Sequence, residues 1–165
     1  GICYKYEVGA MYDEAKYVYW FTKAAETGDV RAQYLLGCEN MYGVFNGADD
    51  RQAVRWFLEA AQQGHKEAQF ELGICCYQGI GTEVDYKESL KWYEKAMKQG
   101  DHWARHNLVH FYFQGLVVDR DIEKGINLLL EAIDDGDTSA KKYLIDIVTT
   151  AVNDGHFNKP WHRFI

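Results

Sequence analysis

Glu67-Ala68-Gln69-Phe70-Glu71-Leu72-Gly73-Ile74-Cys75-Cys76-Tyr77-Gln78-Gly79-Ile80-Gly81 is followed, after three residues, by Asp85-Tyr86-Lys87-Glu88-Ser89-Leu90-Lys91-Trp92-Tyr93-Glu94-Lys95-Ala96. In the first stretch Ala68, Leu72, Cys75 and Cys76 recur at helical spacing, and Gly79 and Gly81 break the helix. Asp85 stands where an N-cap is wanted. Its carboxylate can accept from the free amides of the next turn, and Glu88 lies three residues on, as in a capping box. A second helix then runs through Leu90, Trp92, Tyr93 and Ala96 to Gln99. Gly100 follows it at the position where a left-handed backbone is tolerated without a Cβ clash. This stretch reads as one helical hairpin.

The same side-chain slots return every 36 residues in both directions. Ala32, Ala68, Ala104 and Ala140 keep this step, as do Gly28, Gly64, Gly100 and Gly136. Leu36, Leu72, Leu108 and Leu144 follow it, and so do Ala24, Ala60, Ala96 and Ala132. Asp13, Asp49, Asp85 and Asp121 recur at the cap, and Trp20, Trp56 and Trp92 recur until Leu128 takes their slot. A fixed period of this length is the signature of stacked supersecondary units. One hairpin cannot cover its own apolar faces, so neighbours must stack into a solenoid. The small residues at the Ala32 slot, with Gly37 and Gly73 one turn later, let helices approach closely. Leu36, Leu72 and the tryptophans fill the space between layers. The expected fold is all-α, about four helix-turn-helix repeats.

Composition agrees with a packed helical domain. The 165 residues are 47% hydrophobic and 15% aromatic, and Pro160 is the sole proline, so helix breakers are absent before the tail. The net charge of −7 argues against a nucleic-acid partner, which requires clustered Lys and Arg. No apolar run approaches the ~18 residues needed to insert into a membrane. Cys3, Cys38, Cys75 and Cys76 show neither a CxxC nor a disulfide-type spacing. They read as buried free thiols, and with the acidic charge they lean towards a cytoplasmic setting.

The repeated residues resemble the Sel-1-like repeat family, relatives of the tetratricopeptide repeats. Ala68 to Gly81 is similar to that family's A-x-[YF]-x-L-G-x-x-Y-x-x-G-x-G pattern, with Cys76 in the Tyr slot and Tyr77 just beyond. Asp85 to Gly100 is similar to its D-x-x-K-A-x-x-W-Y-x-K-A-A-x-x-G half, with Ser89 and Met97 at alanine slots. Trp20 to Ala25 and Trp56 to Ala61 repeat this second half. The resemblance covers about residues 1–150. It divides them into repeats at about 1–30 (partial), 31–66, 67–102, 103–138 and 139–150 (partial), with 151–165 as a C-terminal capping segment. Gly1 aligns with Gly37 and Gly73, so the chain reads as starting inside a helix. The resemblance implies a right-handed α/α superhelix that works as an adaptor or scaffold in protein–protein interaction, with no catalytic centre and no cofactor.

Departures narrow what carries over. A cysteine-rich branch of the family places cysteines about two turns apart in each helix pair, and that spacing is missing here. The competing reading is an enzyme of the penicillin-binding or β-lactamase type suggested for that branch. A third is a structural fragment of a larger scaffold. From Trp103 onward the pattern drifts: Val109 replaces the Gly of the Leu-Gly pair, Leu128 the Trp, and His106 the aromatic slot.

By analogy with tetratricopeptide repeats, the first helix of each hairpin lines the concave face. Its stripe would be Arg31, Tyr34, Cys38 and Met41, then Glu67, Phe70, Ile74 and Tyr77, then Trp103, His106, His110 and Phe113, and last Ser139, Lys142, Asp146 and Thr149. Spacing of three and four puts each set on one helical face. The aromatics would grip a protein or peptide partner. Trp103 stands out because its slot elsewhere holds Arg31, Glu67 and Ser139. His102, His106 and His110 share a face, but no acidic or thiol ligand lies nearby in sequence, so no metal site is expected. The paired carboxylates Asp49-Asp50 and Asp134-Asp135 fall at helix ends, where they cap or are solvated. In the tail, Phe157, Trp161, Phe164 and Ile165 would fold back as a cap, and the rival reading makes Trp161 and Phe164 a docking segment.

Overall fold

The computed structural model describes residues 14–43, 47–117 and 119–153. These contain α1 (Glu14–Glu26), α2 (Val30–Tyr42), α3 (Asp50–Gln62), α4 (Lys66–Gln78), α5 (Tyr86–Lys98), α6 (His102–Gln114), α7 (Ile122–Asp134) and α8 (Thr138–Asn153), with no strand among them. The all-α repeat fold expected from the 36-residue step is what forms. The chain divides into two compact units, residues 1–104 and 105–165. Of the proposed cap and docking tail, residues 151–153 belong to α8, and the rest, with Trp161 and Phe164, lies outside the described residues, as do Cys3 and Asp13.

Helix boundaries follow the local chemistry. Asp49 accepts from the Gln52 amide at 3.1 Å, Asp85 from the Lys87 and Glu88 amides at 3.0 Å each, and Asp121 from the Lys124 amide at 2.9 Å. The helices that follow the shorter links are capped by a second series, with Asp29 accepting from Ala32 at 2.7 Å and Asp101 from Ala104 at 2.8 Å. At their other ends, Gly79 (φ +75°) and Gly100 (φ +81°) take the left-handed conformation that a Cβ would penalise.

In the first unit Trp56 and Trp92 pack between the first helix of their own hairpin and the second helix of the one before. Trp56 belongs to a cluster with Ala25, Ala32 and Leu36. Trp92 belongs to one with Ala60, Ala61, Ala68 and Leu72. Burying a large apolar side chain in this way is worth about 1.5–3 kcal/mol, and the alanines leave the room for it. Lys95 Nζ lies 3.7 Å from the centre of the Trp92 ring, closing its outer side. Trp20, in the same slot one step earlier, is 65% exposed.

In the α2–α3 and α4–α5 hairpins a glycine sits under an aromatic ring. A methyl at Gly73 would stand 2.6 Å from Tyr93 Cδ1, and one at Gly37 would overlap Phe57. In the second unit the bulk is exchanged. Val109 takes the glycine slot and Leu129 the aromatic slot, both fully buried. Gly125 takes the slot of Ala53 and Ser89, and a Cβ there would lie 2.9 Å from the Phe113 ring. The drift after Trp103 is thus a repacking that keeps the volume of the layer.

Candidate functional site

In the first unit α2 and α4 carry the first two predicted stripes. Arg31 and Glu67 are exposed. Tyr34 is half-buried, stacked on His65 at a centroid distance of 4.6 Å and tilted towards Phe57 at 6.0 Å. Phe70 is half-buried against Tyr93 at 6.0 Å, and Tyr77 against Tyr86 at 5.3 Å. Ile74 and Met41 are half-buried, the latter packed on the core. The aromatic edges of these side chains reach the surface while their bodies contribute to packing. Cys38 departs from the expected stripe. At 3% exposed it belongs to the core with Ala53, Phe57 and Leu72, and its side chain is too short to reach out past the larger Tyr34 and Met41. Trp103 is 67% exposed.

In the second unit His106 is half-buried. Its Nε2 lies 3.2 Å from Asp137 Oδ2, and its ring stacks on Tyr143 at 5.9 Å. His110 and Phe113 are half-buried, Phe113 lying over Gly125. Ser139, Lys142, Asp146 and Thr149 are exposed on α8, although the Thr149 hydroxyl donates back to the Ile145 carbonyl.

Ser139, Asp137 and His106 lie together, but their order is wrong for nucleophilic catalysis. The Ser139 hydroxyl donates to Asp137 Oδ1 rather than to the imidazole, whereas an activated serine needs the base itself within reach. The Ser139 hydroxyl and the Ser139 and Ala140 amides hold the Asp137 carboxyl down to about 2, as befits a helix cap. Burial pushes the Cys75 thiol up to about 12 and Cys76 up to about 11, so neither supplies thiolate near neutral pH. Burial also raises the Glu71 carboxyl, with the charge of Asp101 adding to the effect. Among the described residues no three His, Cys, Asp or Glu side chains are placed to hold a metal ion, and no helix is long and apolar enough to cross a membrane.

Several structural residues escaped the sequence reading. Gln33 and Gln69 are buried polar side chains, 4% and 5% exposed. Each donates to the end of the preceding helix, Gln33 to the Ala25 carbonyl at 3.1 Å and Gln69 to the Ala61 carbonyl at 3.0 Å. Each accepts from a glutamine 30 residues on, Gln63 at 2.7 Å and Gln99 at 2.8 Å. In the second unit the same two slots hold Arg105 and Asp135, paired at 2.8 Å. The signal was present as a paired change at one fixed separation.

The comparisons with known proteins agree with this geometry. The Sel1 repeat profile matches residues 1–29, 30–65, 66–101 and 104–137. A Sel1 repeat protein from Oxalobacter formigenes superposes with a TM-score of 0.75 at 35% identity, over 80% of this chain and 53% of that one. The protein c5321, described as a protective antigen present in uropathogenic Escherichia coli strains displaying an SLR fold, gives 0.73 at 34% identity, over 78% of this chain and 27% of that one. The chain thus spans about half of the first and about a quarter of the second. Helicobacter pylori cysteine rich protein B shares the fold, with a TM-score of 0.60 at 16% identity over 82% of this chain and 98% of that one. No curated protein matches the chain. Sel1 repeat proteins generally mediate protein–protein interaction and are typically non-catalytic. Four matched repeats, covering most of its length, place the chain in the Sel1 repeat family.

Proposed function

We propose that this chain is a non-catalytic docking module, an adaptor or a specific inhibitor of the immunity type, which holds a protein or peptide on the exposed faces of the first helices of its hairpins. The observation that carries this reading is Trp103. It is 67% exposed at a slot that holds charged or small polar side chains in the other repeats. Most of this indole faces solvent, and Trp is among the commonest anchors of interfaces. Tyr34, Phe70 and Tyr77 support it in the first unit, and His106, His110 and Phe113 in the second. Each offers a rigid ring edge at low entropic cost, apolar in Phe70 and Phe113 and with a polar atom in the tyrosines and histidines. The net charge of −7 favours a protein partner over nucleic acid.

The test is affinity capture with the intact chain and three variants, Trp103→Ala, His106→Ala and Glu59→Ala, the last on the exposed side of α3. The reading expects one partner to be recovered by the native chain and by Glu59→Ala, and to be lost or reduced with Trp103→Ala. Equal recovery by all four would contradict it.

A further inference from the structure

The caps of α2, α4, α6 and α8 occupy one slot of the 36-residue step, which holds Asp29, His65, Asp101 and Asp137. Three are carboxylates and one is an imidazole. His65 performs the same task as the aspartates: its Nδ1 accepts from the Ala68 amide at 3.3 Å, and its backbone takes the extended conformation of a cap, φ −65° and ψ 113°. A carboxylate accepts at any pH above its own pKa. An imidazole accepts only while neutral, and at Nδ1 only as the Nε2–H tautomer.

The surroundings give the second state a place to go. Glu67 Oε2, on the first turn of α4, lies 3.3 Å from the same Nδ1. Lys66 Nζ stands 3.8 Å from the other oxygen of that carboxylate. From α2, Tyr34 stacks on the ring with an interplanar angle of 21°, and the Arg31 charge acts on it. From α3, the Ala60 carbonyl accepts from the His65 amide at 3.0 Å.

We infer that His65 is a proton-operated cap: uptake of a proton turns Nδ1 from an acceptor for the Ala68 amide into a donor towards Glu67 and releases the first turn of α4. The proton adds to Nδ1 and no other bond changes. The new cation then sits at the positive end of the helix dipole and beside Arg31, both unfavourable, with the Glu67 carboxylate and the stacked Tyr34 ring in compensation.

The titration works in the direction this requires. Burial lowers the His65 pKa from its ordinary 6.5, Glu67 opposes that shift and Arg31 adds to it. The unfolded chain therefore takes up the proton first as pH falls. Stability from the neutral cap is complete above about 6.5 and declines below it. Arg31, Tyr34 and Glu67 also belong to the face proposed above to hold a partner. Any effect on binding rests on that reading, while the switch itself does not.

The experiment uses the intact chain, with nitrogen-15 NMR of the imidazole and hydrogen exchange at the Ala68 amide between pH 7.5 and 5.5. His65→Asn, a cap that does not titrate, is the control. The inference expects an unprotonated Nδ1 at pH 7.5. Protection at Ala68, corrected for intrinsic exchange, should fall by roughly fivefold on acidification, as expected for loss of one cap, and should stay constant in His65→Asn. If that variant does not fold, the midpoint of the Ala68 amide shift in the native chain decides, and it must coincide with that of the imidazole. A protonated Nδ1 at pH 7.5, equal losses in both proteins, or an Ala68 amide that does not follow the ring would overturn it.

Discussion

Gln99 donates its side-chain amide to Gln69 Oε1 at 2.8 Å, joining the end of α5 to a buried position on α4. Gln69 in turn donates to the Ala61 carbonyl at the end of α3. One buried amide therefore ties three successive helices, and its two bonds fix both their spacing and their register.

Gln69→Leu keeps the volume and removes both bonds. The Ala61 carbonyl keeps the Gly64 amide as a donor at 3.1 Å, so the cost is that of the two lost side-chain bonds, about 1–3 kcal/mol at roughly 0.5–1.5 kcal/mol each. Chemical denaturation should show a lowered midpoint with an unchanged slope. Gln99→Leu should cost less, since its side chain is exposed. Equal stability of Gln69→Leu and the native chain would contradict the tie.

The exchange of bulk between Gly73/Tyr93 and Val109/Leu129 predicts a rescue. Gly73→Val drives a side chain into the Tyr93 ring and should destabilise by about 1–3 kcal/mol. Adding Tyr93→Leu reproduces the pair found at Val109 and Leu129. The double variant should be more stable than the sum of the two single changes, a coupling that a double-mutant cycle measures. Strict additivity would remove the proposed compensation.

Asp137 predicts the acid limb of the stability curve. Its carboxyl is held at about 2 against an ordinary 3.8, so its contribution is complete above about 4 and is lost as pH falls towards 2. Asp137→Asn keeps a capping oxygen that does not titrate, and its stability should fall less steeply between pH 4 and 2. Asp137→Ala should cost about 1 kcal/mol at neutral pH through loss of the cap. Thermal melts across that range check both.

The thiols of Cys38, Cys75 and Cys76 are buried and in no disulfide. Iodoacetamide at pH 8 should leave all three unmodified in the native protein and label them after denaturation, as peptide mass spectrometry will show. Rapid native labelling of Cys75 would contradict the packing around α4.

Much of this structure was legible before any coordinates, because a side chain that returns at a constant step must do the same job each time. The caps at Asp49, Asp85 and Asp121, the alanines beneath Trp56 and Trp92, and the left-handed Gly100 all follow from that rule. What escaped was of two kinds. His65 was missed because histidine is not a usual cap, although its slot is held by Asp29, Asp101 and Asp137. Gln33 and Gln69 were missed because a lone glutamine carries no periodic signal of burial, and only the joint change to Arg105 and Asp135 marks the contact. Cys38 was read both as a buried thiol, which it is, and by spacing as part of the stripe, and spacing cannot say how far a short side chain reaches beside Tyr34 and Met41.

The central claim is that the first helix of each hairpin presents the face that holds a partner. The most direct measurement replaces Trp103, and separately Glu59, with a photo-reactive amino acid in the intact chain and irradiates it with the captured partner. The account predicts a covalent adduct from position 103 and none from position 59. Adducts from position 59 alone would place the partner on the opposite helices and contradict it.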